Sequence, residues 1–334
     1  MFRTLALSLA IALPIPVLAN QTGTILDGHV LSGFDELAVS SAALSEAAQQ
    51  DCAASSEPLR AAYATAFDAW TGVSHLRFGP TETDNRGFAL AFWPDSRSST
   101  PKTLSGLIAD QDPVVNDPEG FQSVSIAGRG FYALEYLLYD DRLSVLVDAS
   151  YHCALVQAIS RDIADTSRAI NQDWQTRYAD LMQSPHKGGV YQTQAEVLQE
   201  FYKALDTGLQ INADLRLGRP LGTFDKPRPK RAEAWRSGRS LRHVQVSLEH
   251  LRSLTALLAV ADAELAQTLD AKFEVALTKA AALDDPDFSG VATPAGRFRV
   301  EALQQAINDI RTEVTQLLGP ALGVSAGFNS LDGD

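Results

Sequence analysis

The sequence predicts an all-α protein built as two antiparallel four-helix bundles packed together. Three observations lead there. Apolar residues recur at helical spacing almost throughout the chain. No stretch alternates apolar and polar residues between hairpin turns, as paired strands would. The run Ser184-Pro185-His186-Lys187-Gly188-Gly189 reads as a linker, with four main helical segments before it and four after.

Each element follows from local signals. Residues 27–54 read as a first helix, with Leu37, Leu44 and Ala48 on one side. Pro58 opens a second, at a position where a helix tolerates proline, and the pattern runs to Phe78 before Gly79-Pro80 stops it. Residues 80–118 carry turn signals, with a short helix at 102–110. A third main helix is expected over 120–139, with Gly128 and Gly130 loosening its middle, and a long fourth over 143–182. Beyond the linker, helices are expected at 191–216, 231–259, 261–284 and 295–318. The expected division is a leader over 1–19, an N-terminal bundle over 20–186 and a C-terminal bundle over 187–334.

The leader is legible because Arg3 precedes an apolar run from Leu5 to Leu18, followed by Val17-Leu18-Ala19 with small residues where a signal peptidase reads. Cleavage near Ala19 predicts a periplasmic or secreted protein. No later stretch is apolar for long enough to span a bilayer. The chain has formal charge −13, and an acidic balance argues against nucleic acid and against anionic membrane surfaces as partners. In an oxidising compartment the two cysteines, Cys52 and Cys153, are expected to form a disulfide tying the first helix to the fourth; buried free thiols are the alternative.

Candidate chemistry centres on GRGFYALEYLLYD (128–140). At 100° per residue, Tyr132, Glu135, Tyr136 and Tyr139 share one helix face. Glu135 projects from an aromatic stripe, where burial raises a carboxyl pKa unless donors hold the charged form. It is either a satisfied structural carboxylate or a ligand-binding one. A second feature is KPRPKRAEAWRSGRSLR (226–242), with seven basic residues against the single acid Glu233. Such a run is either a solvated helix start with local ion pairs or, with Trp235, Arg236, Ser237 and Ser240 at a helix N-terminus, an anion receiver. If it meets the third helix, Arg236 is positioned to neutralise Glu135. His75, beside Arg77 at the end of the second helix, is a further candidate because an irregular loop follows it; a helix-terminal histidine favoured by the dipole is the plainer reading. His243 and His250 lie seven residues apart on one helix face, too far to share an ion unaided. His-Glu-x-x-His, Gly-x-Ser-x-Gly, Walker and dinucleotide motifs are all missing.

Four stretches, AWTGVSHLRFGP (69–80), GRGFYALEYLLYD (128–140), RAEAWRSGRSL (231–241) and GFNSLDGD (327–334), together resemble the imelysin-like family of bacterial envelope proteins. The resemblance implies a fold of two helical bundles and a site between them built on a Gly-x-His-x-x-Glu motif. It also implies a metallopeptidase or, for many members, a part in iron uptake. Gly130 and Glu135 match the motif, but Tyr132 stands at the histidine position. A neutral phenol, with a pKa near ~10, is a poor ligand for zinc or ferrous iron, although a phenolate with a carboxylate suits ferric iron. Three functions follow as expectations. The first is a non-catalytic periplasmic protein of iron uptake. It would hold a metal, a small ligand or an envelope iron-uptake partner at Tyr132, Glu135, His75, Arg77, Trp235, Arg236 and Ser237, with Glu135 as the metal ligand and iron as the metal. The second is a metallopeptidase, which would need His75 or another histidine as a further ligand. The third is a structural or interaction module of the envelope.

Overall fold

A computed structural model describes residues 15–144 and 148–324, with side chains from Asn20 onward. Most of the leader read from sequence, and all of the terminal stretch 327–334, lie outside the described residues. Helix α1 runs from Ile15–Ile25 through a π turn, Leu26–Leu31, into Ser32–Gln50. It buries Leu26, Val30, Phe34, Leu37, Leu44 and Ala48 along one side. Helix α2 (Glu57–Val73) is capped by Ser56, with Pro58 in its first turn, and stops at Val73 rather than running to Phe78. Helix α3 spans Ser99–Asp110.

The third main helix begins later than its apolar pattern suggests. Residues 118–128 break into a short helix and a 3₁₀ turn, and α4 is Gly130–Tyr139. The cause is Gly130, at φ +72, where a Cβ would stand 2.2 Å from the carbonyl oxygens of Ala89 and Leu90. Only glycine permits that approach. Just before it, Arg129 pairs with Asp162 through two bonds of 2.6 and 2.9 Å, fixing the start of α4 on the long helix that follows. Helix α5 (Ala149–Asp173, with a π turn at Trp174–Tyr178 and a last segment Ala179–Gln183) is capped by Asp148.

Helix α6 (Gln194–Gln210, π turn Ile211–Leu217, Gly218–Leu221) follows the linker. Helices α7 (Ser240–Leu258), α8 (Ala263–Ala281) and α9 (Pro294–Glu313, π turn Val314–Leu318, Gly319–Leu322) complete the second half. Arg231 ends a 3₁₀ turn, Pro229–Arg231, and residues 232–239 are not helical, contrary to the sequence pattern: Ala234 and Gly238 take positive φ, and Ser240 opens α7.

The Ser32–Gln50 part of α1 packs on α2 and α5, and α4 packs on α5. In the second half α7 packs on α6 and α8, and α9 on α6 and α8. The two bundles meet where α2 lies against α7 and where the first turns of α1 reach α6 and α7. Cys52 and Cys153 are disulfide-bonded across a Cα–Cα distance of 5.1 Å, joining the end of α1 to the first turns of α5 as expected. Among the described residues no helix is long and apolar enough to cross a membrane.

Candidate functional site

Between the bundles lies a cavity of about 410 Å³. Its walls are the 92–100 loop, the Tyr132–Glu135–Tyr136 face of α4, Arg219 at the end of α6, and the 230–236 segment. Tyr132, Glu135, Trp235 and Arg236 from the sequence reading all line it. The shared face of α4 brings the first two there, and the non-helical segment before α7 folds back to bring the others.

Glu135 is buried, and one of its oxygens accepts from the Ser237 backbone N–H at 2.9 Å and from the Ser237 hydroxyl at 2.7 Å. Burial pushes its carboxyl pKa up, and the Ser237 bonds and the Arg236 charge only partly oppose that. The expected partner was Arg236, but its hydrogen bond goes to Asp140 at 2.9 Å. Its guanidinium lies 3.7 Å from the centre of the Tyr136 ring and 4.5 Å from that of Trp235. Asp140 is held well below the usual carboxylate range, chiefly by Arg142 with Arg236 adding to it.

Behind this wall is a network that sequence reading missed. The Tyr132 hydroxyl donates to Glu233 Oε1 at 2.5 Å, and Arg216 donates to Glu233 Oε2 at 2.6 Å. His243 Nδ1 stands 3.1 Å from the same oxygen without hydrogen-bond alignment. Arg216 also donates to Asn212, which donates to Ser247. Burial alone would raise the Glu233 pKa, but Arg216 and His243 outweigh it and the carboxyl stays below its usual range. Burial and the Glu233 charge push the Tyr132 phenol well above its ordinary value, so it is held as a neutral donor. Arg216 sits in the π turn of α6, where the extra residue turns its side chain inward.

His75 and Arg77 do not line the cavity. His75 is buried with its Nε2 2.9 Å from His29 Nε2, and Arg77 pairs with Glu82 at 2.6 Å. The donor set does not fit a metal. The bonded oxygen of Glu135 is engaged by Ser237, and both oxygens of Glu233 are engaged by Tyr132 and Arg216. Among the described residues no three His, Cys, Asp or Glu side chains are placed to hold a metal ion together.

Ser237→Ala is expected to lower stability by about 1.5–2 kcal/mol at neutral pH, the worth of a hydrogen bond to a charged group. The loss should shrink as pH falls and Glu135 protonates. Urea unfolding at two pH values measures this, and a pH-independent loss would show that Glu135 carries no charge there.

The fold and cavity define a helical-bundle protein with a preformed inter-bundle site. The Imelysin family profile matches residues 30–314, and the chain belongs to that family. It is 24% identical over 324 residues to Iron-regulated protein A of Synechococcus elongatus, covering 86% of this chain and 85% of that protein. An imelysin-like protein from Psychrobacter arcticum superposes with TM-score 0.79 at 18% identity, covering 96% of this chain and all of the other. A putative iron-regulated protein A precursor from Parabacteroides distasonis gives 0.76 at 15% identity, covering 94% and 96%. The Tyr132 departure from the motif therefore occurs within an otherwise ordinary family fold.

Proposed function

We propose that the chain is a non-catalytic periplasmic member of the imelysin family that serves iron acquisition by holding a small ligand in its inter-bundle cavity. The observation that carries this reading is the state of the two carboxylates nearest the motif. Glu233 is satisfied through both oxygens by Tyr132 and Arg216, and Glu135 through one oxygen by Ser237, which leaves no converging set of donors for a hydrolytic metal. A preformed cavity with aromatic and charged walls favours ligand capture over a purely structural role. The leader over 1–19 supports export, and the name of the Synechococcus relative supports the link to iron. The proposed division remains 20–186 and 187–334 on either side of the linker.

Calorimetric titration of metal-stripped protein with Fe(II), Zn(II) and chelated Fe(III), alongside Glu135→Ala, tests the reading. The bare divalent ions are expected to show no saturable binding in either form. Saturable binding of either ion, lost in Glu135→Ala, would overturn the non-catalytic reading and restore the metallopeptidase.

A further inference from the structure

We infer that the cavity selects a small multivalent anion, such as a di- or tricarboxylate or a diphosphate, received by Arg219, Lys230 and Arg231. The inference deepens the ligand-capture reading and rests on it.

The chain as a whole is strongly acidic, at −13, yet its cavity is walled by Arg219, Lys230, Arg231 and Arg236. Of these, Arg236 is paired with Asp140, which Arg142 also bonds. No carboxylate among the described residues pairs with the other three. The Arg219 guanidinium lies 5.7 Å from the Trp93 ring centre, and its Nε is buried with no hydrogen-bond partner. Lys230 stands 5.6 Å from the Trp235 ring. Burial and the neighbouring Arg231 both press against the charge on Arg219, lowering its pKa.

The acids in the same wall do not answer these cations. Asp95 spends its oxygens on the backbone N–H groups of Ser99 and Thr100, each at 2.8 Å. Glu135 faces Ser237. The cations of the wall therefore outnumber its acids. Grouped like charges repel in a partly desolvated site and are relieved by an opposite charge. A guanidinium with free N–H groups recognises planar acidic oxygens in pairs. The volume lies within the range of about 300–1,000 Å³ common for small-molecule sites. A bare cation meets repulsion here, and a neutral sugar leaves the charges unanswered.

The test is titration of chelator-treated full-length protein with citrate and with pyrophosphate as separate probes, followed by calorimetry and by tryptophan fluorescence, since Trp93 and Trp235 line the cavity. Glucose and spermidine serve as neutral and cationic probes. At least one anion should bind saturably, and binding should weaken with added salt. Arg219→Gln combined with Arg231→Gln should weaken it about tenfold or more. Lys230→Gln, at an exposed position, should weaken it without disturbing the core, and Lys279→Gln, outside the cavity, should not. Which anion binds tells carboxylate from phosphate. Binding of glucose or spermidine alone would overturn the anion class while leaving the cavity a ligand site. Silence from all four probes, or full anion binding by the double variant, would overturn the inference, and silence would count against the capture reading too.

Discussion

Arg216→Met is expected to destabilise the protein by about 3–5 kcal/mol, because it leaves a buried carboxylate without its cation. Arg216 and Glu233 are both buried and meet at 2.6 Å. Without the guanidinium, Glu233 keeps only the Tyr132 phenol and the His243 imidazole, whose charged form burial disfavours. A neutral donor and a misaligned ring do not compensate a charge in a dry interior. Asn212 also loses the donor to its side-chain oxygen. Adding Glu233→Gln should recover much of the loss, since the charge is then gone, and the double-mutant cycle gives the coupling directly.

The pH dependence has a definite sign. In the wild type, the folded Glu233 pKa lies below its unfolded value, near 4.5. Its contribution is therefore present above pH 4.5 and is lost as pH falls through the folded value. In Arg216→Met the carboxyl is no longer held down, so the deficit should be greatest at neutral pH and narrow in acid. Denaturant unfolding at pH 7 and pH 4.5 reads both quantities. A loss under about 1 kcal/mol at pH 7 would show that water has replaced the guanidinium and that the network is not the anchor of Tyr132.

The helical class, the order of the helices, the linker and the disulfide were legible because each leaves a local mark: apolar spacing, capping residues, a Pro-Gly cluster, an even cysteine pair. The α4 face was legible for the same reason, since Tyr132, Glu135 and Tyr136 are set by helical period alone. The segment before α7 was not. Its composition suits a helix from residue 231, yet Ala234 at φ +47 and Gly238 at φ +66 turn the chain back. The Arg239 N–H then bonds to the Ala234 carbonyl at 3.0 Å, and the Ser240 hydroxyl bonds to the Glu233 carbonyl at 2.5 Å. That turn moves the donor to Glu135 by one residue, from the expected Arg236 to Ser237, and releases Arg236 to Asp140. Nor could the sequence show that Arg216 meets Glu233. A single buried charge on an amphipathic helix breaks no period, and the π turn that aims Arg216 inward has no signature in composition.

The junction of the bundles should weaken sharply in mild acid, because it is packed with histidines that are neutral when folded. His29 in the π turn of α1 and His75 after α2 face each other at 2.9 Å, one donating and the other accepting according to tautomer. The His250 ring, on α7, lies 6.3 Å from that of His29. Burial, with His250 adding to it, lowers the His29 pKa from 6.5 to about 3. His75 is also well below its ordinary value, through burial first and then His29, His250 and Arg216. His250 is lowered by burial, with Arg242 adding to that and Glu36, Glu249 and Asp68 opposing it. All three pKa values fall on folding, so the unfolded chain binds the extra protons. The stabilisation is complete above pH 6.5 and declines below it. His29 contributes about 1.4 kcal/mol per pH unit between its unfolded value and about 3, and His75 and His250 act in the same sense. Glu135, whose pKa rises on folding, acts in the opposite sense and offsets part of this. Urea midpoints measured from pH 7 to pH 5 should fall steeply, and a His29→Gln, His75→Asn variant should show a flatter dependence even if it is less stable at pH 7. An unchanged slope in that variant would mean that the pair is already solvated, and that acid acts on the bundles elsewhere.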